Sequence, residues 1–446
     1  MSGAKMLNIG ILVHPFGQHP AAWLHPDAVL GGELSFKHYS WVARRAEQGL
    51  FDFLFIADAP TTRQGNIHAF KRWPTYMSQF EPITLLAGLA AVTERLGLAA
   101  TVSSSFFEPY NLARQFASLD HMSGGRSAWN IVTSTIPAIS DNFSKQGMED
   151  HATRYRRAHE FLQIALGLWD SWDDDAFTRD RESVLYFDPE KLHALNHTGE
   201  FYSVRGPLNL ARPPQGYPVI IQAGGSEAGK DLAAETAEVV FTVDRTFEAC
   251  KAFRDDLKAR LPKFGRPHDA LKVVSSISTF VGRTEEEAQE KFQALQAKIH
   301  PDVGREVLSI DLGNVDLSQV PLDSPIPPSL LPQGTERGKT YLQSVRDAVL
   351  AGSPTLKEAY EYYAPNRGGL LFVGSAAQCA DLMQSWFEGG ATDGFMLSVG
   401  TLPTELDAFV ELVVPELQKR GLFRMSYEGR TLREHLGLPR PKSRYT

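Results

Sequence analysis

The chain is short of the features that most quickly narrow a function. Its 446 residues include two cysteines, Cys250 and Cys379, too far apart in sequence for a Cys-x-x-Cys metal site or a disulfide framework. Two isolated thiols in amphipathic stretches suit core packing in a reducing cytoplasm, the compartment expected here. Basic blocks are missing: the net charge is −8, so neither a nucleic-acid partner nor an anionic membrane surface is expected. No apolar run reaches the length of a bilayer span, and the N-terminus has no basic flank leading into an apolar stretch, so no membrane association is expected. There is no Gly-x-Ser-x-Gly elbow, no Gly-x-Gly-x-x-Gly after the first strand, no internal repeat and no low-complexity tract. These absences exclude a disulfide scaffold and a nucleophile-elbow hydrolase, and they weigh against a dinucleotide-binding sheet. They do not exclude an acidic ligand, because a local Arg or His pocket can oppose the overall sign.

What is present is a regular alternation of apolar strands and amphipathic helices. The pattern predicts strands at 7–13, 51–56, 98–103, 128–132, 219–222, 239–243, 272–281 and 394–399. It predicts helices at 37–49, 82–95, 109–122, 155–172, 227–237, 247–261, 285–299, 376–388 and 405–420. The strands are rich in Val, Ile, Leu and Ala with little alternation, as expected when both faces are buried. Pro82 and Pro109 stand at first helical positions, Gly124-Gly125 stop a helix, and Ser375 is placed to cap the next one. Eight βα units point to a TIM (β/α)8 barrel, one domain over 1–446, with an open doubly wound sheet as the alternative. Two segments break the rhythm: 134–215 after the fourth strand and 300–370 after the seventh. Both leave strand C-terminal ends, where barrel active sites sit, and are candidate lids; a peripheral contact is an equal expectation for the second.

The most informative local feature is Pro218-Val219-Ile220-Ile221-Gln222 followed by Ala223-Gly224-Gly225-Ser226 and a helix. A strand, a small-residue turn and a helix N-terminus direct backbone N–H groups and a hydroxyl at one spot, where a phosphate is favoured. An ordinary βα turn with glycines for close packing has the same signature.

Other strand ends carry His14, Phe16, Gln18, His19 and Trp23, then Asp58, Ser103-Ser104-Ser105, Asn130 and, in the first insertion, His151 and Tyr155. Most are hydrogen-bonding or aromatic groups, with few strong acids or bases. Paired carboxylates and a nucleophile with its base are both missing from this set. His14, His19 and His25 cluster in sequence, but their spacing on a proline-stiffened loop matches no recognised ligand pattern, and no metal is expected. Amide, hydroxyl, aromatic and Gly-turn groups suit a large organic cofactor with a phosphate tail. Arg63, Lys71 and Arg72 after the second strand could support an anion, with solvated surface charge as the alternative.

Read in order, a series of short matches makes the chain resemble a known family. They are Ala21-Ala22-Trp23 with His25-Pro26-Asp27-Ala28, Phe51-Asp52 through Ala57-Asp58, and Glu81-Pro82 through Ala91-Val92-Thr93. Next come Ala113-Arg114 through Leu119-Asp120-His121, and Gly125-Arg126 through Trp129-Asn130-Ile131-Val132-Thr133. The last are His151 with Arg154-Tyr155, Gly206-Pro207-Leu208-Asn209 to Pro214-Gln215-Gly216, Gln222-Ala223-Gly224, and Asp393-Gly394-Phe395. Over nearly its whole length the chain resembles the bacterial-luciferase-like flavin monooxygenases. The branch is that of nitrilotriacetate monooxygenase component A, dibenzothiophene-sulfone monooxygenase and long-chain alkane monooxygenase.

The resemblance implies a TIM barrel that takes reduced FMN from a separate NAD(P)H-dependent flavin reductase. It implies oxidation of a small organic substrate with molecular oxygen through a flavin peroxide, and a homodimer or homotetramer. By the same resemblance Asp58, Ser105, Asn130, His151, Tyr155, Gly224, Gly225 and Ser226 are the expected cofactor-binding positions. Phe16, Trp23, Phe106 and Phe107 are the expected substrate walls. His19, ahead of His14, is the expected acid–base group; a satisfied structural histidine is the alternative for each. The chain departs from the branch at Asn142-Phe143-Ser144, where Asn-Phe-Gly is usual, at Gly225, where Ala or Ser is common, and at Gln18, often His. Two further readings keep the fold: a deazaflavin-dependent oxidoreductase and a non-catalytic flavin-binding protein.

Overall fold

The apolar runs pair as the parallel strands of a closed barrel in the computed structural model, which describes residues 5–134, 136–144, 147–331, 346, 353–367 and 369–445. The strands are β1 (Asn8–Leu12), β2 (Phe53–Ile56), β3 (Gly97–Ser103), β4 (Ser127–Val132), β5 (Val219–Gln222), β6 (Val239–Thr242), β7 (Lys272–Gly282), β8 (Leu370–Ser375) and β9 (Gly394–Val399). The ring runs β9-β1-β2-β3-β4-β5-β6-β7, and β7 pairs back onto β9, so no edge is left open.

Strand β8 is an addition to the eight strands that the sequence predicts. It pairs with Ile277–Gly282 of β7. Ile277, Ser278 and Thr279 already pair with β9. Strand β8 therefore takes the opposite edge of β7, beyond the stretch paired with β6. Its side chains are mostly half-buried, unlike the strands of the ring.

Helix ends follow the local signals. Ser375 and Gln378 form a capping box, Pro82 and Pro109 occupy first turns, and Gly124 ends its helix at φ 67°. The helix of the first insertion, His151–Trp169, begins four residues before the predicted 155, because Asp150 caps it by accepting from the Thr153 N–H at 3.0 Å. The last long helix, over 404–419, contains a π turn at Phe409–Val413 just before Pro415, which has no N–H to continue the regular ladder.

The barrel bottom is held by buried charges. Asp52 accepts from the Ile9 N–H at 2.6 Å and pairs with Arg424. Asp120 accepts from the Ser127 N–H and hydroxyl and from the Gln215 amide at 2.7 Å. Asp393 pairs with Arg254 at 2.8 Å and Lys258 at 3.1 Å. Arg126 donates to the carbonyls of Ala90, Thr93, Leu96 and Ser123. Leu432, Leu436 and Leu438 of the C-terminal segment close the bottom against Phe53, Ala128 and Val219. Such a set secures stability, since barrel chemistry belongs to the opposite face.

The insertions differ in packing. The helix His151–Trp169 buries Phe161, Leu162, Ile164 and Leu168 in the main core. Helices Pro301–Asp311 and Leu356–Tyr363 of the second insertion build a satellite core with Phe280 and Phe292. Part of that insertion, 332–345 and 347–352, lies outside the described residues. Cys250 and Cys379 are free and buried. No helix among the described residues is long and apolar enough to cross a membrane.

Candidate active site at the barrel mouth

At the end of β5, Ser226 caps the helix Glu227–Thr236, its Oγ accepting from the Gly229 N–H at 3.1 Å. The Tyr155 hydroxyl lies 3.2 Å from the same Oγ, and the His151 ring packs against Tyr155 at 4.7 Å between centroids. The amides of Gly224, Gly225 and Ser226 make no hydrogen bond among the described residues. The turn therefore offers free donors, two hydroxyls and a helix N-terminus at one place.

Gly229 makes this closeness possible. A Cβ there would stand 2.9 Å from the Tyr155 hydroxyl and 3.1 Å from both Gly224 Cα and Ser226 Oγ. Sequence reasoning passed over Gly229, since a helical glycine three residues past a turn carries no signal of its own.

The neighbouring strand ends bring the next groups. Asn130 on β4 is 3 % exposed; its amide nitrogen donates to Thr101 Oγ1 at 2.9 Å, and its oxygen has no hydrogen-bond partner among the described residues. Whichever way the amide is turned, one polar end stays unmatched inside the barrel, which suits a bound group with a complementary edge. Ser105 is buried just past β3. Asp58 accepts from Gln79 at 2.8 Å, and burial raises its carboxyl above the usual range, against the opposing effect of that hydrogen bond. These groups and the Ser226 turn fit a phosphorylated ring cofactor.

Phe106 and Phe107 enter a cavity of about 340 Å³ with Phe143, Arg157, Phe201 and Tyr202. Phe106 stacks on Phe143 at 5.2 Å. The departure at Asn142-Phe143-Ser144 lies here. Ser144 adopts φ 57°, the left-handed backbone that a glycine takes without strain.

A second cavity, of about 260 Å³, opens over β1, β7 and β9. His14 and Tyr76 stand edge to face in its wall at 5.5 Å, beside Gln18, Asn366 and Arg367, and strands β7 and β9 contribute Ser276, Ser278 and Ser398. Burial pushes the His14 imidazole down to about 3, helped by the charges of Arg367 and then Arg63, so it is neutral at ordinary pH. Tyr76 and Arg367 both have positive φ, 61° and 44°. Strained backbone of this kind gathers at functional sites.

The structure does not bring His19, Phe16 or Trp23 into either cavity lining. His19 is 2 % exposed between Phe280 and Phe292; its Nδ1 accepts from the Ala21 N–H at 3.1 Å, so its Nε2 donates to Gln296 Oε1 at 2.9 Å. Burial lowers it to about 4. Phe16 is buried, and Trp23 donates from Nε1 to the Arg72 carbonyl at 2.9 Å. His25 Nδ1 accepts from the Asp27 N–H at 3.2 Å, so the three loop histidines have three unrelated settings. No metal-binding group of three or more His, Cys, Asp or Glu residues occurs among the described residues.

The luciferase-like monooxygenase family matches residues 18–393. The chain is 45% identical to N-acetyl-S-(2-succino)cysteine monooxygenase of Bacillus subtilis (strain 168) over 444 residues, 100% of this chain and 99% of the relative. It is 42% identical to nitrilotriacetate monooxygenase component A of Aminobacter aminovorans over 453 aligned positions, 99% of each. Among solved structures, long-chain alkane monooxygenase superposes with a TM-score of 0.85 at 33% identity, over 97% of this chain and 96% of that one.

Proposed function

Because this chain belongs to the luciferase-like monooxygenase family and is a monooxygenase, we propose that it works as the oxygenase half of a two-component system. In this reading a separate NAD(P)H-dependent flavin reductase supplies reduced FMN, and molecular oxygen oxidises a small organic substrate. The observation that carries the reading is the Ser226–Tyr155–Gly229 arrangement, a phosphate cradle built on a family match. The same proposal takes the chain as one barrel domain in the cytoplasm, carrying 134–215 and 300–370 as insertions and assembling as a homodimer or homotetramer.

Each residue then has a role. Ser226, Tyr155 and the amides of Gly224 and Gly225 hold the phosphate, with His151 packed behind Tyr155. Asp58, Ser105 and Asn130 receive the ring system, and the unmatched amide end of Asn130 is satisfied there. Bound reduced FMN supplies two electrons, with one oxygen atom entering the substrate and the other leaving as water. Phe106, Phe107 and Phe143 keep bulk water from the oxygen chemistry. His14 takes the place of His19 as the candidate beside the substrate, because it lines a cavity; lowered to about 3, it stays neutral and serves there as a hydrogen-bonding imidazole rather than as a strong base. His19, with both ring nitrogens engaged, holds the first loop against the satellite core.

The test is anaerobic loading with reduced FMN, then rapid mixing with oxygen while flavin absorbance is followed. A transient that outlasts the oxidation of free reduced flavin supports the reading. Oxidation at the free-flavin rate, with and without candidate substrates, overturns it, and tight binding of a deazaflavin in its place would select the hydride-transfer alternative.

A further inference from the structure

The expected cofactor groups come from the β2 to β5 side of the mouth. The opposite side, over β1, β7 and β9, is built differently. Its wall carries Ser278 and Ser398, each 3 % exposed, whose hydroxyls make no hydrogen bond among the described residues. Hydroxyls that line a cavity in this way are available to a ligand. Arg367 lines this cavity, and Arg63 lies against its wall residue Tyr76. Arg367 is answered by Asp311, at 2.7 Å and 3.1 Å. Arg63 is not: it forms no ion pair with a carboxylate among the described residues, and only its Nε is hydrogen-bonded, to the Thr75 carbonyl at 3.0 Å. Its guanidinium lies 4.2 Å from the centroid of buried Trp73 and 5.1 Å from that of Tyr76. These rings hold the planar group, and its terminal nitrogens make no hydrogen bond among the described residues. Burial and the neighbouring Arg367 lower it to about 9, the mark of a cation short of compensation.

We propose that this side of the mouth recognises an organic carboxylate on the substrate, with Arg63 as the pairing residue and the Ser278 and Ser398 hydroxyls as further donors. Planar guanidinium suits a planar carboxylate, which can take two parallel N–H groups. The proposal rests on the flavin-monooxygenase reading, since it names the substrate class of that same site. On this proposal Arg63, of the three cations after β2, is the site residue; Lys71 is exposed and Arg72 donates to the His68 carbonyl at 2.9 Å.

The test uses tricarballylate as probe, titrated calorimetrically into the full-length protein with and without saturating oxidised FMN, at one fixed salt concentration. FMN is titrated separately. The wild type is expected to bind tricarballylate and not its uncharged trimethyl ester. Arg63→Gln is expected to weaken binding by about 10- to 100-fold, the loss of one charge-assisted contact. Arg63→Lys should be intermediate, Lys71→Gln within about twofold of wild type, and FMN affinity unchanged throughout. No tricarballylate binding by the wild type overturns the proposal. So do equal binding by Arg63→Gln, equal binding of the ester, and an equal loss in Lys71→Gln, which would mark a diffuse field. If FMN affinity falls in Arg63→Gln while tricarballylate binding does not, Arg63 serves the cofactor and the proposal fails. Arg63-dependent tricarballylate binding in a protein that takes no FMN would defeat the flavin reading and leave the anion site standing.

Discussion

The two insertions leave the same rim of one barrel and position their functional groups by different means. The first lays the helix His151–Trp169 along the main core, with Phe161 and Trp169 against Trp129. Tyr155 therefore reaches Ser226 from a rod that is anchored by the barrel itself. The second insertion has no such bed. It builds a satellite core from Val307, Leu308, Tyr360 and Tyr363, and from there delivers Asn366 and Arg367 to the mouth. Asp311 ties it together, accepting from the Tyr363 hydroxyl at 3.0 Å while pairing with Arg367. The barrel's own core can place a hydroxyl cheaply, but an insertion that leaves this core must first stabilise itself before it can hold a charge in place.

The largest effect that should break this contrast is on Asp311. Asp311→Ala removes the buried carboxylate that pairs with Arg367 and accepts from Tyr363, an expected loss of about 3–5 kcal/mol in denaturant unfolding. Tyr155→Ala, on the barrel-anchored insertion, should cost far less stability. Equal losses would show that both insertions depend on the same core.

Next in size is a pH effect at the junction between the first loop and the satellite core. His19 is bonded to Gln296, which donates in turn to the Glu361 carbonyl at 2.7 Å. Its ordinary value is 6.5, lowered to about 4 in the fold. The unfolded chain therefore binds the extra proton between these two values. The stability that neutral His19 contributes is fully present above pH 6.5 and is lost as pH falls toward 4, about 3 kcal/mol in all. His19→Asn should flatten that part of the pH–stability profile. A profile as steep as wild type would move the titration elsewhere.

Smaller changes sharpen the barrel-anchored side. Ser226→Ala should weaken FMN binding by about tenfold and cost about 1 kcal/mol of stability through the lost helix cap. Gly229→Ala should weaken FMN binding comparably by pushing the Tyr155 hydroxyl off Ser226. Tyr155→Phe is expected to cost only a few-fold in FMN affinity, with unfolding unchanged within about 0.5 kcal/mol. An unchanged FMN affinity in all three variants would take the phosphate away from this turn.

Much of the scaffold was legible in the sequence, and the reasons are particular. Both-faces-buried strands such as Val219–Gln222 read as apolar runs, and Pro82, Pro109 and Ser375 mark helix starts through chemistry confined to one turn. Strand β8 was not read, because Leu370–Ser375 adds to a ring that was already closed by eight others. Several matched residues turned out to be scaffold: Asp52, Asp120, Arg126 and Asp393 clamp strand beginnings at the bottom of the barrel. In a linear string, a clamp and a catalytic group look alike, since both are buried polar residues beside strands.

By itself the sequence determined the alternating elements, the closed ring and the strand–turn–helix at Ser226, because each depends on periodicity or on backbone chemistry within a few residues. Only the tertiary structure distinguishes the surroundings of His14 from those of His19. Five residues apart on one loop, they differ by what folds over them: Tyr76 and a cavity for His14, and Phe280, Phe292 and Gln296 for His19. It also decided that Arg63, rather than Lys71 or Arg72, lies against Trp73 and the cavity residue Tyr76. Hydrogen-bond satisfaction and charge compensation are properties of neighbours brought from far along the chain, and no local pattern carries them.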